Sequence, residues 1–409
     1  MEQLKFVIVG HIDHGKSTLI GRLFFDTDSL PPDKIEEVKK SSNELGREIE
    51  FSFLMDHLRE EREQGITIDT AQTFFKTDKR EYVIIDAPGH IEFVKNMITG
   101  ASQAEAGVVI IDALEGVQEQ TKRHSYILSM LGLEQVIVLV NKMDLVNYDE
   151  QVFDNIKSDM ANFLNSINIE PQYYIPISAM KGDNVAKKSD KMPWYDGPTV
   201  LEALDSFENK VSSEKKSLIF PVQDIYKIDD KRIIVGRVEA GTIRVGDKIK
   251  ILPTEYITSV KTIEKFLEEN KTVALAGESI GITTSEPVFI ERGYVICREG
   301  EEPKLTDTFF ANIFWLSKTE FDINEKLTIR CATQEMSCKI LKILKRMDSS
   351  SLDLIEENSK ILKNLEVGEV IIKTKNPIAI KLFNDVPELG RFVFMRGADV
   401  CAGGIITKI

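Results

Sequence analysis

The chain has 409 residues, a formal net charge of −14, and 42% hydrophobic against 29% charged residues. That length exceeds one ordinary domain, and no apolar run approaches the roughly 20 residues of a membrane-spanning helix, which excludes a membrane span, and no membrane partner is expected. The acidic balance argues against a nucleic-acid partner, because that backbone is bound by Lys and Arg displacing counterions.

The first predicted element is a strand-like run from Leu4 to Val9, which leaves no space for a signal peptide and points to the cytoplasm. Gly10-His-Ile-Asp-His-Gly15-Lys16-Ser17 follows, ahead of a helix predicted over Lys16–Phe25. It fits G-x-x-x-x-G-K-[ST], a loop whose backbone N–H groups, here including those of Asp13, His14 and Gly15, wrap phosphate oxygens. Lys16 is expected to reach the β and γ phosphates, Ser17 to bind Mg²⁺, and Thr18 to add a phosphate contact. The side chains of His11 and His14 are read as packing or hydrogen-bonding groups beside the loop. Residues 26–65 then break the strand–helix rhythm with polar sequence and helix-like pieces at 33–45 and 51–63. An insertion of that length after a phosphate loop reads as functional.

A buried strand at Tyr82–Ile85 delivers Asp86-Ala-Pro-Gly89-His90. Asp86 at a strand end suits Mg²⁺, directly or through water, and Gly89 offers its N–H to the γ-phosphate. A helix at Ile91–Gly100, a strand at Val108–Ile111, a helix at Thr121–Leu131 and a strand at Val136–Val140 continue the alternation. The last strand ends in Asn141-Lys142-Met143-Asp144. The Asp144 carboxylate can accept from both N1–H and the exocyclic amine of guanine, groups that adenine does not present there. Buried hydrogen bonds of this kind reject the wrong partner by about 10⁴–10⁵, so the nucleotide is GTP. Tyr173–Ile177 leads to Ser178-Ala179-Met180-Lys181, where the Ala179 N–H is expected to complete the base pocket. The alternation predicts an α/β P-loop GTPase domain over residues 1–212, doubly wound around a mostly parallel sheet, with its ligand at the strands' carboxyl ends.

After the polar linker Ser213–Ser217 the texture changes. Short β segments such as Arg232–Val238, Ile249–Leu252, Ile280–Thr284 and Tyr294–Ile296 alternate with turns at Gly241, Gly246, Gly277 and Gly293. They predict two small β-barrel domains, residues 217–302 and 303–409, divided near Gly300–Pro303. The four cysteines lie at spacings that suit neither zinc nor a disulfide framework, and read as buried thiols.

Together, GHIDHGKST, EREQGITID, DAPGH, NKMD and SAMKGDNV resemble the translation-factor class of GTPases, essentially along the whole chain. Val235–Asp247 is similar to that class's β-barrel domain. The resemblance implies that residues 26–68 form a switch ordered by the γ-phosphate, with Thr67 joining the Mg²⁺ shell. It also implies that His90 orients the attacking water while Lys16 and Mg²⁺ neutralise phosphate charge. Ile12 and Ile66 fall where the class carries an apolar gate.

Two branches of the class compete. One is the elongation factor that carries aminoacyl-tRNA to the ribosome; the other is the large GTP-binding subunit of sulfate adenylyltransferase. Met192–Glu202 is similar in both. Thr306–Trp315, Asn364–Val370, Lys375–Ala379 and Gly390–Phe394 look like the sulfate-activating subunit, although the chain is shorter than many members of that family. The glycine- and aromatic-rich tRNA-contacting loops of the elongation factors' third domain have no evident counterpart. The resemblance therefore implies a nucleotidyltransferase complex, in which GTP hydrolysis drives adenylyl transfer from ATP to sulfate on a smaller, ATP-using partner subunit. The elongation factor stands as the alternative.

Overall fold

A computed structural model describes residues 3–29, 72–86, 104–208, 216–228, 231–268 and 270–409. The chain divides into two compact units, Met1–Asn209 and Lys210–Ile409.

In the first unit, β1 (Gln3–Gly10), β2 (Gln72–Lys76), β3 (Glu81–Asp86), β4 (Ala106–Asp112), β5 (Gln135–Asn141) and β6 (Tyr173–Pro176) form one sheet in the order β2-β3-β1-β4-β5-β6. Every pairing is parallel except that of edge strand β2 with β3. The apolar runs in β4 and β5 are buried nearly end to end, as strands covered on both faces must be. The chain runs from β3 on one side of β1 to β4 on the other, so a crevice opens at the carboxyl end of β1.

Helices α1 (Lys16–Asp26), α2 (Glu119–Met130), α3 (Glu150–Ser166) and α4 (Val200–Ser206) accompany the sheet. Leu19, Ile20, Leu23 and Phe24 of α1 join the core that contains Phe6 and Ile8. In α3 the spacing of Phe153, Ile156, Met160, Phe163 and Leu164 makes one buried stripe, and the Asp149 carboxylate caps the helix by accepting from the Gln151 N–H. Thr199 and Glu202 form a capping box at α4. The helix predicted at Ile91–Gly100 and the helix-like pieces at 33–45 and 51–63 lie outside the described residues.

Among its described residues the second unit is all β apart from one short helical turn at Pro387–Gly390. Ile219–Ile228, Lys231–Arg237, Lys248–Leu252, Tyr256–Glu264, Ser279–Thr284 and Val295–Arg298 close into a barrel around Phe220, Val222, Ile251 and Ile282. Beyond it, a seven-stranded sheet closes on itself because Leu327–Cys331 pairs with Gln334–Asp348 as well as with Arg391–Arg396. This second barrel holds Phe309, Ile313, Trp315, Phe392 and Phe394 in its core. Its outlying strand, Leu354–Glu357, is tied down by Arg346. That guanidinium donates from Nε and Nη2 to Glu366 at 2.7 and 3.0 Å, and from Nη1 to Glu356 at 3.1 Å. Ile219, Leu252, Val295, Ala379 and Leu389 form an apolar cluster shared by the two barrels. The four cysteines are buried and none forms a disulfide. Among the described residues no helix is long and apolar enough to cross a membrane.

Candidate functional site

The loop between β1 and α1 occupies the crevice. Two of its glycines are there for want of space: a Cβ on Gly10 would lie 2.4 Å from the Ile110 carbonyl oxygen, and one on Gly15 would lie 2.3 Å from Asn141 Nδ2. Asp13 at φ 62° and Gly15 at φ 93° turn the backbone left-handed just before α1 begins. Gly15 is the N-cap and supplies no side-chain cap, so an anion is the partner that the first-turn N–H groups fit. Ser17 and Thr18 sit in that first turn, half-buried. Lys16 Nζ donates to the carbonyls of Gly10 at 2.9 Å and His11 at 2.6 Å, which holds its charge over the loop backbone.

The two loop histidines differ. His14 is fully buried. Its Nδ1 lies 3.3 Å from the Asp112 N–H, and its Nε2 lies 3.2 Å from Glu115 Oε2. The neutral Nε2–H tautomer satisfies both contacts, accepting at Nδ1 and donating to the carboxylate, whereas an Nδ1–H form donates to the Ile110 carbonyl, also 3.3 Å away. Burial pushes its pKa below the ordinary value, against the pull of the Ile110 carbonyl and Glu115. The His11 ring meets the His14 ring edge-on, with centroids 5.2 Å apart. A third histidine, His124 of α2, is also buried beside the loop. Burial first, and then the Lys16 charge, push its pKa down to about 4.

Asn141 joins the phosphate loop to the base loops. Its Nδ2 donates to the His14 carbonyl at 2.9 Å, and its Oδ1 accepts from the Ala179 N–H at 2.9 Å. The Ala179 N–H expected at the base pocket thus faces the Asn141 side chain. Lys142 adopts a left-handed conformation, φ 64°, and starts the helical turn Met143–Val146 that presents Asp144. Asp144 is half-exposed, three residues past the end of β5. Ser178 is buried, and its Oγ accepts from the Lys181 N–H at 3.2 Å, closing the loop on which Met180 sits partly exposed.

Behind the base loops, Asp183 accepts from Tyr148 Oη at 2.8 Å and Ser189 Oγ at 2.7 Å, and pairs with Lys191 at 3.2 Å. Burial opposes ionisation there, but these hydrogen bonds hold its carboxyl below the usual range. Trp194 Nε1 donates to the Tyr148 carbonyl at 3.1 Å, so Met192–Glu202 braces the base loops.

Asp86 ends β3, and its backbone pairs with Ile8 of β1, two positions before Gly10. Thr67, Gly89, His90 and Ile66 lie outside the described residues. Sequence patterns alone missed Asp112 and Glu115. For Asp112 the signal was a charged residue directly closing a wholly apolar strand, in register with Asn141 of the next strand.

Comparison with known proteins bears on what this site serves. The family model described as "Elongation factor Tu GTP binding domain" matches residues 1–210. "Elongation factor Tu domain 2" matches residues 231–297, and "GTP-eEF1A C-terminal domain-like" matches residues 308–407. A protein named elongation factor 1-alpha from Methanopyrus kandleri is 40% identical, over 100% of this chain and 98% of its own length. Those of the same name from Pyrococcus horikoshii and Archaeoglobus fulgidus are each 39% identical, over 99% of this chain and 97% of their own length. These full-length likenesses overturn the sulfate-activating reading, with its nucleotidyltransferase activity and smaller ATP-using partner subunit. The misreading has a physical source. Thr306–Trp315 and Gly390–Phe394 lie along barrel strands whose Phe309, Ala311, Ile313, Phe392 and Phe394 fill the core. Such segments report how a barrel packs, not what it binds.

Proposed function

The chain belongs to the elongation factor family of GTP-binding GTPases, and from that premise we propose that it carries aminoacyl-tRNA to the ribosome in a GTP-dependent cycle in the cytoplasm. The observation that carries this reading is the match along the whole chain to relatives named elongation factor 1-alpha.

Two features of the second unit support it. The first barrel bears an open cavity of about 420 Å³ lined by Asp224, Tyr226, Glu264, Phe266 and Arg292, with Gly236 and Gly281 among its walls. Tyr226 and Phe266 are 53% and 88% exposed. Exposed rings beside carboxylates and a guanidinium suit the nucleoside end of an RNA, which stacks on aromatics and presents hydroxyls and phosphate.

The second barrel carries a basic face. Strand register sets Lys339 opposite Lys373, and Lys342 opposite Ile371. Ile371 in turn faces Phe310, and Phe310 faces Lys408, whose Nζ sits 5.4 Å over the ring. Asp307 lies 3.6 Å from the Lys373 ammonium and answers part of this charge, and the remaining lysines along the strands suit an anionic partner. The argument from net charge against nucleic acid is thereby corrected: −14 is a sum over the chain and not a map of its faces.

In the nucleotide site, Asp144 recognises guanine, with Asn141, Lys142, Ser178, Ala179 and Met180 shaping the base loops. The loop N–H groups of Asp13, His14 and Gly15, with Lys16, Ser17 and Thr18, hold the phosphates. Ser17 stands in the first turn of α1 and Asp86 closes the neighbouring strand. With Thr67 they would supply a hard oxygen set of the kind Mg²⁺ takes alongside water and phosphate oxygens. Mg²⁺ held there would neutralise charge on the β and γ phosphates. Gly89 donates to the γ-phosphate, and His90 orients the water for in-line attack. Retention of charged tRNA on a filter tests the proposal. GTP should support retention and GDP should not, and equal retention with both nucleotides would overturn it.

A further inference from the structure

We infer that Asp112 is a positioning residue for guanine recognition, acting by pinning Lys142. The inference rests on the nucleotide site proposed above. Asp112 closes β4 opposite Asn141 of β5 and is 2% exposed. Its Oδ1 accepts from the Leu114 N–H at 2.8 Å, and its Oδ2 meets Lys142 Nζ at 2.6 Å. Neither oxygen of this buried carboxylate lacks a partner, which is the condition under which a buried ion pair is tolerated.

What the pair holds is a strained backbone. Lys142 is a non-glycine residue at φ 64°, a conformation that costs free energy and persists only where its surroundings enforce it. The residue two positions on is Asp144, whose carboxylate must meet N1–H and the 2-amino group together. The side-chain ion pair is the tether at the start of that turn. The same Asp112 offers its N–H to His14 of the phosphate loop, and the Ala113 N–H donates to the Asn141 carbonyl at 2.8 Å. The end of β4 thus stands between the phosphate loop and the base loop and fixes one against the other. Without the negative charge, the Lys142 ammonium loses its anchor and the turn that aims Asp144 relaxes.

The test compares GDP with IDP, which lacks only the 2-amino group, in the full chain and in Asp112→Asn, Lys142→Met and the double variant. Asp112→Asn keeps the shape and the acceptor for Leu114 while removing the charge. We expect GDP affinity to fall about tenfold or more, the scale of a lost charge-assisted hydrogen bond, with IDP affected less, so that the GDP-to-IDP preference shrinks. The two single variants should not add, because each breaks the same contact. An unchanged GDP-to-IDP preference, or additive losses, would overturn the inference. Lys142→Met probes the pair from its half-exposed side, so the same preference decides the matter if Asp112→Asn does not fold. A wild-type chain indifferent between GDP and IDP would instead sink the base-site assignment itself.

Discussion

Replacing Asn141 by Asp changes one amide nitrogen to oxygen and strikes the joint between phosphate loop and base loops. Asn141 is 2% exposed, donates to the His14 carbonyl at 2.9 Å and accepts from the Ala179 N–H at 2.9 Å. A carboxylate preserves the second bond and turns the first into two oxygens facing each other at hydrogen-bond distance. Leaving one buried acceptor without its donor costs about 1–3 kcal/mol, and more when the replacement carries charge. Gly15 leaves no slack, because its Cα already abuts Asn141 Nδ2 so closely that a Cβ would lie 2.3 Å from it. A loss of about 3 kcal/mol at this joint corresponds to a drop of roughly 10²-fold in GDP affinity. Isothermal titration with GDP measures that loss, and a parallel thermal melt shows whether the fold is intact. A folded Asn141→Asp protein within about threefold of the parent's affinity would refute the view that this amide couples the two loops.

Three further outcomes are expected. Arg346→Ala strips the fork from Glu366, whose side chain is only 12% exposed, and should destabilise the second barrel by about 3–5 kcal/mol in urea unfolding. His124 has its pKa depressed from 6.5 to about 4, so between those values the unfolded chain takes up a proton that the folded chain refuses. Stability should therefore fall as pH falls through that window, by up to about 1.4 kcal/mol per pH unit, and His124→Gln should flatten the slope. His90→Ala should slow GTP hydrolysis by about 10²-fold or more while leaving GTP affinity largely intact, as expected for a group that orients the attacking water. Parallel loss of binding and hydrolysis would contradict that role.

The nucleotide-binding half was legible because its signals are local. An apolar strand, a glycine loop and a helix follow one another within about two dozen residues, and NKMD and SAMK each close a strand of the same sheet. The links between those motifs were not legible, because they depend on strand register. Nothing in the sequence near Ala179 says that its N–H is spent on Asn141, thirty-eight positions earlier. Likewise, Asp112 reaches Lys142 only because β4 and β5 lie side by side.

The choice of branch failed for a different reason. Thr306–Trp315 and Gly390–Phe394, which looked diagnostic, run along barrel-core strands constrained by packing. The features that bear on a partner are one exposed cavity and one row of lysines, both scattered in sequence and assembled by pairing across strands. Net charge could not reveal them, because it averages the Lys339–Lys373 face with the acidic remainder.

The most direct test of the account is GTP hydrolysis by the purified chain on messenger-programmed ribosomes from the same organism, with and without matching aminoacyl-tRNA. Hydrolysis should be slow for the chain alone and rise by orders of magnitude only when ribosome and charged tRNA are both present. A rate indifferent to both would contradict the proposed function.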